Sequence, residues 1–186
     1  MAPPFRTPSA ALRRFCQRED GYLVVESALI LPFLLWAFVA LYSYWDGFHA
    51  VTQVQKSTFA VADLISREQR PVNDAYINGM RLTMDTMLPG DMESELRVTS
   101  IIWVQINNRF EVEWSATSGT LAPLLTTGLL APLMSKIPAM VDGDTAVVVE
   151  SWVDYEATFV LGGIQDARMS QFVVTRPRFA PRITYQ

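Results

Sequence analysis

The chain has 186 residues, of which 50% are hydrophobic and 18% are charged, and its formal net charge at pH 7 is −4. This composition excludes a disordered tail and suffices for one folded domain with an appendage. The negative charge argues against a nucleic-acid surface, which relies on clustered lysine and arginine. One cysteine, Cys16, allows no disulfide within these residues.

A basic segment precedes the longest apolar run of the sequence. Four arginines lie before the run: Arg6, Arg13, Arg14 and Arg18. From Tyr22 to Trp45 the only charged residue is Glu26, and the run exceeds the roughly 20 helical residues that cross a bilayer. Because arginines stay on the cytoplasmic side, they predict a cytoplasmic N-terminus and an exported remainder.

The run is typical of a retained membrane anchor. A cleaved secretory signal has a shorter apolar region, of about 7 to 15 residues. Aromatic residues close the run at Tyr42, Tyr44 and Trp45, as at a membrane interface. A carboxylate inside such a helix costs roughly 2.5 to 3.5 kcal/mol on insertion scales, so Glu26 is a functional-site candidate.

The residues around Glu26 resemble a known N-terminal signature. The stretch reads Arg18-Glu-Asp-Gly-Tyr-Leu-Val-Val-Glu26-Ser-Ala28-Leu29-Ile-Leu-Pro32. It is similar to the signature of the TadE/TadG-like pseudopilins of tight-adherence (Flp, type IV-like) pilus systems, in which Gly, four residues and Glu precede Phe-Ala-Leu and a Pro. Ser27 departs from this pattern, and the resemblance covers roughly residues 18–65.

The resemblance implies a cleavage site and a role for the carboxylate. A prepilin peptidase is expected to cut between Gly21 and Tyr22 and to remove residues 1–21 as a cytoplasmic leader. The new α-amino group of Tyr22 has an ordinary pKa near 7.7 to 8.0. Glu26 is expected to pair with this amine on a neighbouring subunit, which neutralises both charges and fixes the axial stagger. Pro32 is expected to kink the helix.

Each of these residues also has an ordinary interpretation. Gly21 is consistent with a turn before a helix. Glu26 lies near the start of the run, from where its carboxylate can reach the headgroups. Pro32 is consistent with the general frequency of proline in membrane helices.

The helical pattern continues beyond the apolar run. One face repeats at the i, i+3, i+4 spacing: Val51, Val54, Thr58, Ala62 and Ile65. The pattern extends from residue 22 to about residue 68 and stops before Pro71. Residues 22–45 are therefore predicted as a transmembrane helix and residues 46–70 as its continuation outside the membrane. A second helix is predicted over 73–88, with Asn73 as its cap and a turn at Pro89-Gly90-Asp91.

From Leu96 the apolar period changes to two, which predicts paired strands. Two runs alternate with polar residues: Leu96, Val98, Ile102, Val104 and Ile106, then Phe110, Val112 and Trp114. Aligning their apolar faces sets Ile106 opposite Phe110 and Val104 opposite Val112. Asn107-Asn108-Arg109 then forms a three-residue loop.

The remaining segments complete a small sheet. Residues 121–140 are apolar but carry three prolines, which disfavours a second span and predicts short helical turns over one sheet face. Asp142-Gly143-Asp144 is predicted as a turn before a strand at 146–160. Gly162-Gly163 is predicted as a second turn before a strand at 169–175.

Together these elements predict an α+β fold: a long N-terminal transmembrane and amphipathic helix, then a small pilin-like domain, residues 71–186, with a mainly antiparallel sheet and short helices. No enzymatic activity, metal or cofactor is expected, because the chain has one histidine, His49, and one cysteine.

The resemblance implies a minor pseudopilin-like structural subunit that assembles a tight-adherence pilus. It implies a single-pass protein of the bacterial inner membrane with a periplasmic domain, placed in the pilus or at its base. The expected partners are a prepilin peptidase, other pilin or pseudopilin subunits, the inner-membrane pilus platform and membrane lipid, with no nucleic acid. The alternative is an uncleaved, signal-anchored periplasmic binding or sensing domain in which Glu26 is incidental.

Overall fold

A computed structural model describes residues 20–120, 122–159 and 165–186 of the chain. Most of the predicted leader, with Cys16, and the predicted turn at Gly162-Gly163 lie outside these ranges. The described chain is an α+β fold in which one long apolar N-terminal helix joins a four-stranded antiparallel sheet with short helices. The predicted fold class is confirmed at this level.

Helix α1, Asp20–Ser66, has 47 residues and is therefore about 70 Å long. Its bounds agree with the predicted helix to within about two residues at each end. The chain leaves it through Glu68, whose carboxylate accepts the backbone N–H groups of Arg70 and Gln69. These hydrogen bonds, that of Arg70 first, lower the pKa of Glu68.

Helix α2, Asp74–Asp85, begins at the predicted cap. The side chain of Asn73 accepts the backbone N–H of Tyr76 at 2.9 Å, which satisfies a free donor of the first turn. Ile77 and Met84 are fully buried on its inner face. The predicted turn after the helix is present, with Gly90 at a φ of +67°, where glycine is favoured.

The sheet consists of β1 (Ser94–Val104), β2 (Arg109–Thr117), β3 (Thr145–Tyr155) and β4 (Ala167–Thr175). Their order across the sheet is β2-β1-β3-β4, and all neighbouring strands are antiparallel. Strand β3 ends at Tyr155, earlier than predicted. The predicted turn before it is present, with Gly143 at a φ of +79°.

The predicted register of the β1–β2 hairpin is wrong. Trp103 lies opposite Phe110 and Ile101 opposite Val112, three residues from the predicted pairing. The connection is a 3₁₀ turn over Gln105–Asn107, followed by Asn108 in the left-handed region at a φ of 47°. It is therefore longer than the three-residue loop that the sequence predicted.

A β-bulge breaks the alternation on which the predicted alignment depends. Ser100 lies opposite Trp114 while Ile101 lies opposite Val112, so Glu113 is an extra residue in β2. The extra residue reverses the side-chain alternation, because the side-chain period of a strand is two. Val112 thus packs on one face of the sheet and Trp114 on the other.

Two hydrophobic clusters cover the two faces of the sheet. The helix-side core joins α1 and α2 to the sheet through Val54, Val61, Ala62, Ile65, Ile77, Met84, Leu96, Val98, Val147, Val149 and Val153. On the other face, the short helix α3 (Thr127–Leu130) and the 3₁₀ segment Ala131–Lys136 pack against the sheet. The outer core between them consists of Ile101, Phe110, Leu125, Leu130, Ile137, Ala146 and Val148. The predicted short helical turns over a sheet face are confirmed.

The segment after β4 fastens the end of α1 to the domain. The N–H of Arg178 donates to the carbonyl of Ser66 at 2.8 Å, and the N–H of Val72 donates to the carbonyl of Thr184 at 2.9 Å. Ile183 is buried, and its carbonyl accepts the indole N–H of Trp114 at 2.7 Å. Residues 178–186, here called the C-terminal strap, thus connect α1 to strand β2.

Candidate functional site

The first half of α1 exposes an apolar surface on all sides. Its most apolar 18-residue window has a mean hydropathy of 2.2, and none of that window is buried. The exposed side chains include Leu23, Leu29, Leu31, Phe33, Leu34, Trp36 and Phe38. Among the residues that the structure describes, this is the one helix long and apolar enough to cross a membrane. Its length and composition are compatible with a membrane anchor or with a signal sequence.

The predicted cleavage site lies at the beginning of this helix. The backbone at Gly21 is already helical, and Tyr22 is exposed. Proteolysis there requires the first turn to open, which costs little at a fraying helix end. The predicted bond therefore lies in the first turn of α1, and its cleavage stays a prediction.

Glu26 lies in the exposed apolar segment. Within the described part of the chain, its carboxylate makes no hydrogen bond or ion pair, and its side chain is exposed. The next charged residue along the helix is Asp46, 20 residues and about 30 Å further on. A single copy of the chain thus leaves the Glu26 carboxylate unneutralised by its own described residues.

Helix α1 continues through Pro32. Proline has no N–H group, so the carbonyl of Ala28 lacks the donor that it would receive in a regular helix. The structure thus brings Gly21, Glu26 and Pro32 onto one exposed helical segment. The kink at Pro32 stays a prediction.

The domain begins to cover α1 at Ser43. Ser43, Gly47 and Ala50 are buried, and their small side chains allow the domain to approach the helix closely. Between them, Asp46 accepts hydrogen bonds from the Tyr155 hydroxyl at 2.8 Å and from the Thr158 hydroxyl at 3.3 Å. Burial, with the hydrogen bond to Asp46, raises the pKa of Tyr155 to about 12.

The local sequence does not reveal this junction. Asp46 is an isolated charge after the apolar run, whereas its partner Tyr155 lies 109 residues away. No local pattern connects residues so distant in sequence. The only available signal was that a carboxylate stands beside a membrane boundary, where it needs a donor or water.

Aromatic rings cluster around residues 42–49 of α1. The rings of Tyr42 and Phe159 meet edge to face, with centroids 6.2 Å apart. Trp45 stacks on His49 at 5.2 Å. His49 is exposed, beside the boundary of the apolar segment. Phe159 belongs to the segment after β3, so helix and domain both contribute rings here.

An open cleft of about 480 Å³ separates α1 from the end of β3 and the turn after α2. Carboxylates line much of it: Asp46, Asp91, Glu93, Asp154 and Glu156. Asp154 is paired with Arg168 at 2.7 Å, which lowers the pKa of Asp154. Among the described residues, no group of three acidic, histidine or cysteine side chains is arranged to hold a metal ion.

The candidate site is therefore a helix with three successive parts. It presents the predicted cleavage site, then an apolar surface with one carboxylate, then a junction that fixes the domain. Comparisons of the chain with protein-family models, curated proteins and solved structures gave no match. The function is accordingly inferred from the residues of this helix and their surroundings.

Proposed function

We propose that the chain is a minor pseudopilin-like subunit in the assembly of a tight-adherence (Flp, type IV-like) pilus. One observation carries the proposal. An exposed apolar helix bears one carboxylate, at the fifth position after Gly21, and continues without a break into the core of an α+β domain. The same stretch resembles the TadE/TadG-like signature. The role is structural rather than enzymatic.

In this proposal residues 22–45 span the bacterial inner membrane. The arginine-rich N-terminal segment stays in the cytoplasm, and residues 71–186 form the periplasmic domain. Support comes from the apolar run that begins at Tyr22 and ends at Trp45, which is longer than the roughly 20 helical residues that cross a bilayer core. The first buried side chains of α1 follow at Ser43, close to this boundary.

Assembly would use the charge of Glu26. After cleavage, the amine of Tyr22 and the carboxylate of Glu26 lie four residues apart, which is about 6 Å along the helix axis. If each carboxylate pairs with the amine of a neighbour, adjacent helices are offset by about that distance. Pairing removes two isolated charges from a medium of low dielectric constant, so it favours association.

The proposed partners are a prepilin peptidase, other pilin or pseudopilin subunits, the inner-membrane pilus platform and membrane lipid. The peptidase supplies the most direct test. In a host with a matching prepilin peptidase, we expect the mature protein to begin at Tyr22, as determined by N-terminal sequencing or mass spectrometry. Gly21→Leu is expected to block cleavage by placing a bulky side chain at the scissile bond.

Ser27→Leu is the matched control for this test. It adds a similar side chain at an exposed position of the same helix, six residues from the scissile bond, and should be cleaved normally. A protein that keeps its leader in the competent host would contradict the proposal. That result would favour the uncleaved, signal-anchored periplasmic binding or sensing domain.

A further inference from the structure

We propose that Phe159 docks the domain onto the outer interface of the membrane, so that the protein contacts lipid at a second point beside its spanning helix. This inference rests on the proposed insertion of residues 22–45. Phe159 would contact the lipid interface, and it belongs to the domain rather than to the helix.

The depth of Phe159 relative to the membrane follows from the geometry of α1. Tyr42 lies 20 residues after Tyr22, which corresponds to about 30 Å of helix and equals the thickness of the bilayer core. With Tyr22 at the inner boundary, Tyr42 is at the outer one. The ring of Phe159 contacts that of Tyr42, with centroids 6.2 Å apart. Phe159 thus lies at the outer boundary.

Two hydrogen bonds fix Phe159 at this level. Its neighbour Thr158 donates to Asp46, and so does Tyr155 at the end of β3. Asp46 stands one helical turn beyond Tyr42, on the domain side. The segment 155–159 is therefore held against the helix where the apolar surface ends.

The exposed surface at this level is aromatic. Phe159 is 47% exposed although it contacts Tyr42, and Tyr42 and Trp45 are exposed beside it. Aromatic side chains are enriched at membrane interfaces because the rings tolerate the boundary between hydrocarbon and headgroups. A bilayer around α1 would cover this surface without any further movement of the domain.

The charges nearby indicate which lipid property matters. The cleft lined by Asp46, Glu156 and three further carboxylates also includes Thr158, the neighbour of Phe159 in the chain. Negative side chains repel anionic headgroups, so the contact is made by apolar and aromatic burial. We therefore expect it to form without anionic lipid.

The test measures the depth of a label at position 159. Cys16 is the only cysteine, so the full-length Cys16→Ser chain allows a single added cysteine to carry a nitroxide label. Phe159→Cys is compared in lipid nanodiscs with Phe33→Cys and Phe179→Cys, whose native side chains are 66% and 65% exposed. Position 33 lies in the apolar segment. Position 179 follows Arg178, which is bonded to the far end of α1, about 36 Å beyond Tyr42.

We expect the label at 159 to be several-fold less accessible to a water-soluble nickel reagent than the label at 179, and more accessible to oxygen. This result should be obtained in purely zwitterionic nanodiscs, because the contact needs no anionic lipid. If the label at 33 is in lipid while that at 159 behaves like that at 179, the inference is overturned and the membrane span stands. If the label at 33 is also in water, both the inference about Phe159 and the proposed membrane span are wrong. Shielding of position 159 from both reagents, as by a protein contact, also overturns the inference.

Discussion

In the proposed assembly, Glu26 acts on membrane insertion and on association in opposite directions. Its removal should ease insertion, by less than the roughly 2.5 to 3.5 kcal/mol of a charge at a helix centre because Glu26 lies near the start of the run, and it should deprive the amine of a neighbouring subunit of its partner. We expect Glu26→Ala to be inserted and cleaved normally but to lose cross-links to neighbouring subunits in membranes. Ser27→Ala, at the next exposed position, should keep them. Normal cross-linking of Glu26→Ala would exclude the pairing role.

Tyr155 gives the junction a dependence on alkaline pH. Its pKa is raised from 10.0 to about 12, so its neutral form favours the folded state. This contribution is complete below pH 10 and is lost as the pH rises towards 12. We expect Tyr155→Phe to lower the free energy of unfolding by about 1 kcal/mol near neutral pH, through loss of the hydrogen bond to Asp46.

The difference in the free energy of unfolding between Tyr155→Phe and the unmodified protein should become smaller between pH 10 and 12. Only the unmodified protein loses the stabilising contribution of the neutral Tyr155 hydroxyl in this range. Thermal unfolding in detergent, followed by circular dichroism, measures it. Tyr42→Phe keeps its ring contact with Phe159 and serves as the control. A difference that stays constant to pH 12 would contradict this account of Tyr155.

Strands β1 and β3 are linked by a buried ion pair on the outer face of the sheet. Arg97 and Glu150 lie directly opposite each other, with their side chains 9% and 8% exposed. The guanidinium donates to Glu150 at 2.6 and 2.7 Å and to the carbonyl of Pro123 at 2.6 Å. It also lies over the ring of Trp152. The pair thus holds the segment at Pro123 against the sheet.

Removing one partner of this ion pair should lower the free energy of unfolding more than replacing both partners with apolar side chains. We expect Glu150→Ala to lower the free energy of unfolding by about 3 to 5 kcal/mol, because Arg97 is left buried without its partner. The double variant Arg97→Met, Glu150→Leu should recover most of that loss. Urea unfolding of the full chain in detergent measures both. A double variant as unstable as Glu150→Ala would show that the charges themselves are needed.

The elements were predictable from the sequence, whereas their pairing was not. Each helix and strand carries its own hydrophobic period, which any local segment reveals. The register of β1 and β2 depends on the connection over residues 105–108 and on the extra residue Glu113, which become visible only when both strands are paired. Of the candidate site, Gly21, Glu26 and Pro32 form a local pattern, but the contact of Asp46 with Tyr155 depends on the tertiary fold.

For the whole molecule, the continuity of α1 links the apolar segment rigidly to the domain. The helix runs from the exposed residues around Glu26 to Ile65 in the helix-side core without a break. Any rotation of the apolar segment about its axis therefore turns the domain by the same angle. How neighbouring helices pack would then decide which surfaces of the domains face one another.

An insertion series tests this coupling. One alanine added between Ala40 and Leu41 turns the domain by about 100°, whereas seven added residues turn it by only about 20°. We expect cross-links between neighbouring domains to be lost with one added residue and retained with seven. Membrane extraction confirms that both variants are inserted. Equal cross-linking by the two variants would mean that the domain turns independently of the helix.

The C-terminal strap completes the domain late in the order of the chain. It follows strand β4, yet it supplies hydrogen-bond partners to Ser66, at the end of α1, and to Val72, in the segment after that helix. If residues 71–186 are exported as proposed, the contact between the strap and the end of α1 can form only after the strap has crossed the membrane. Until then, the apolar face around Ile65 would be only partly covered by the domain.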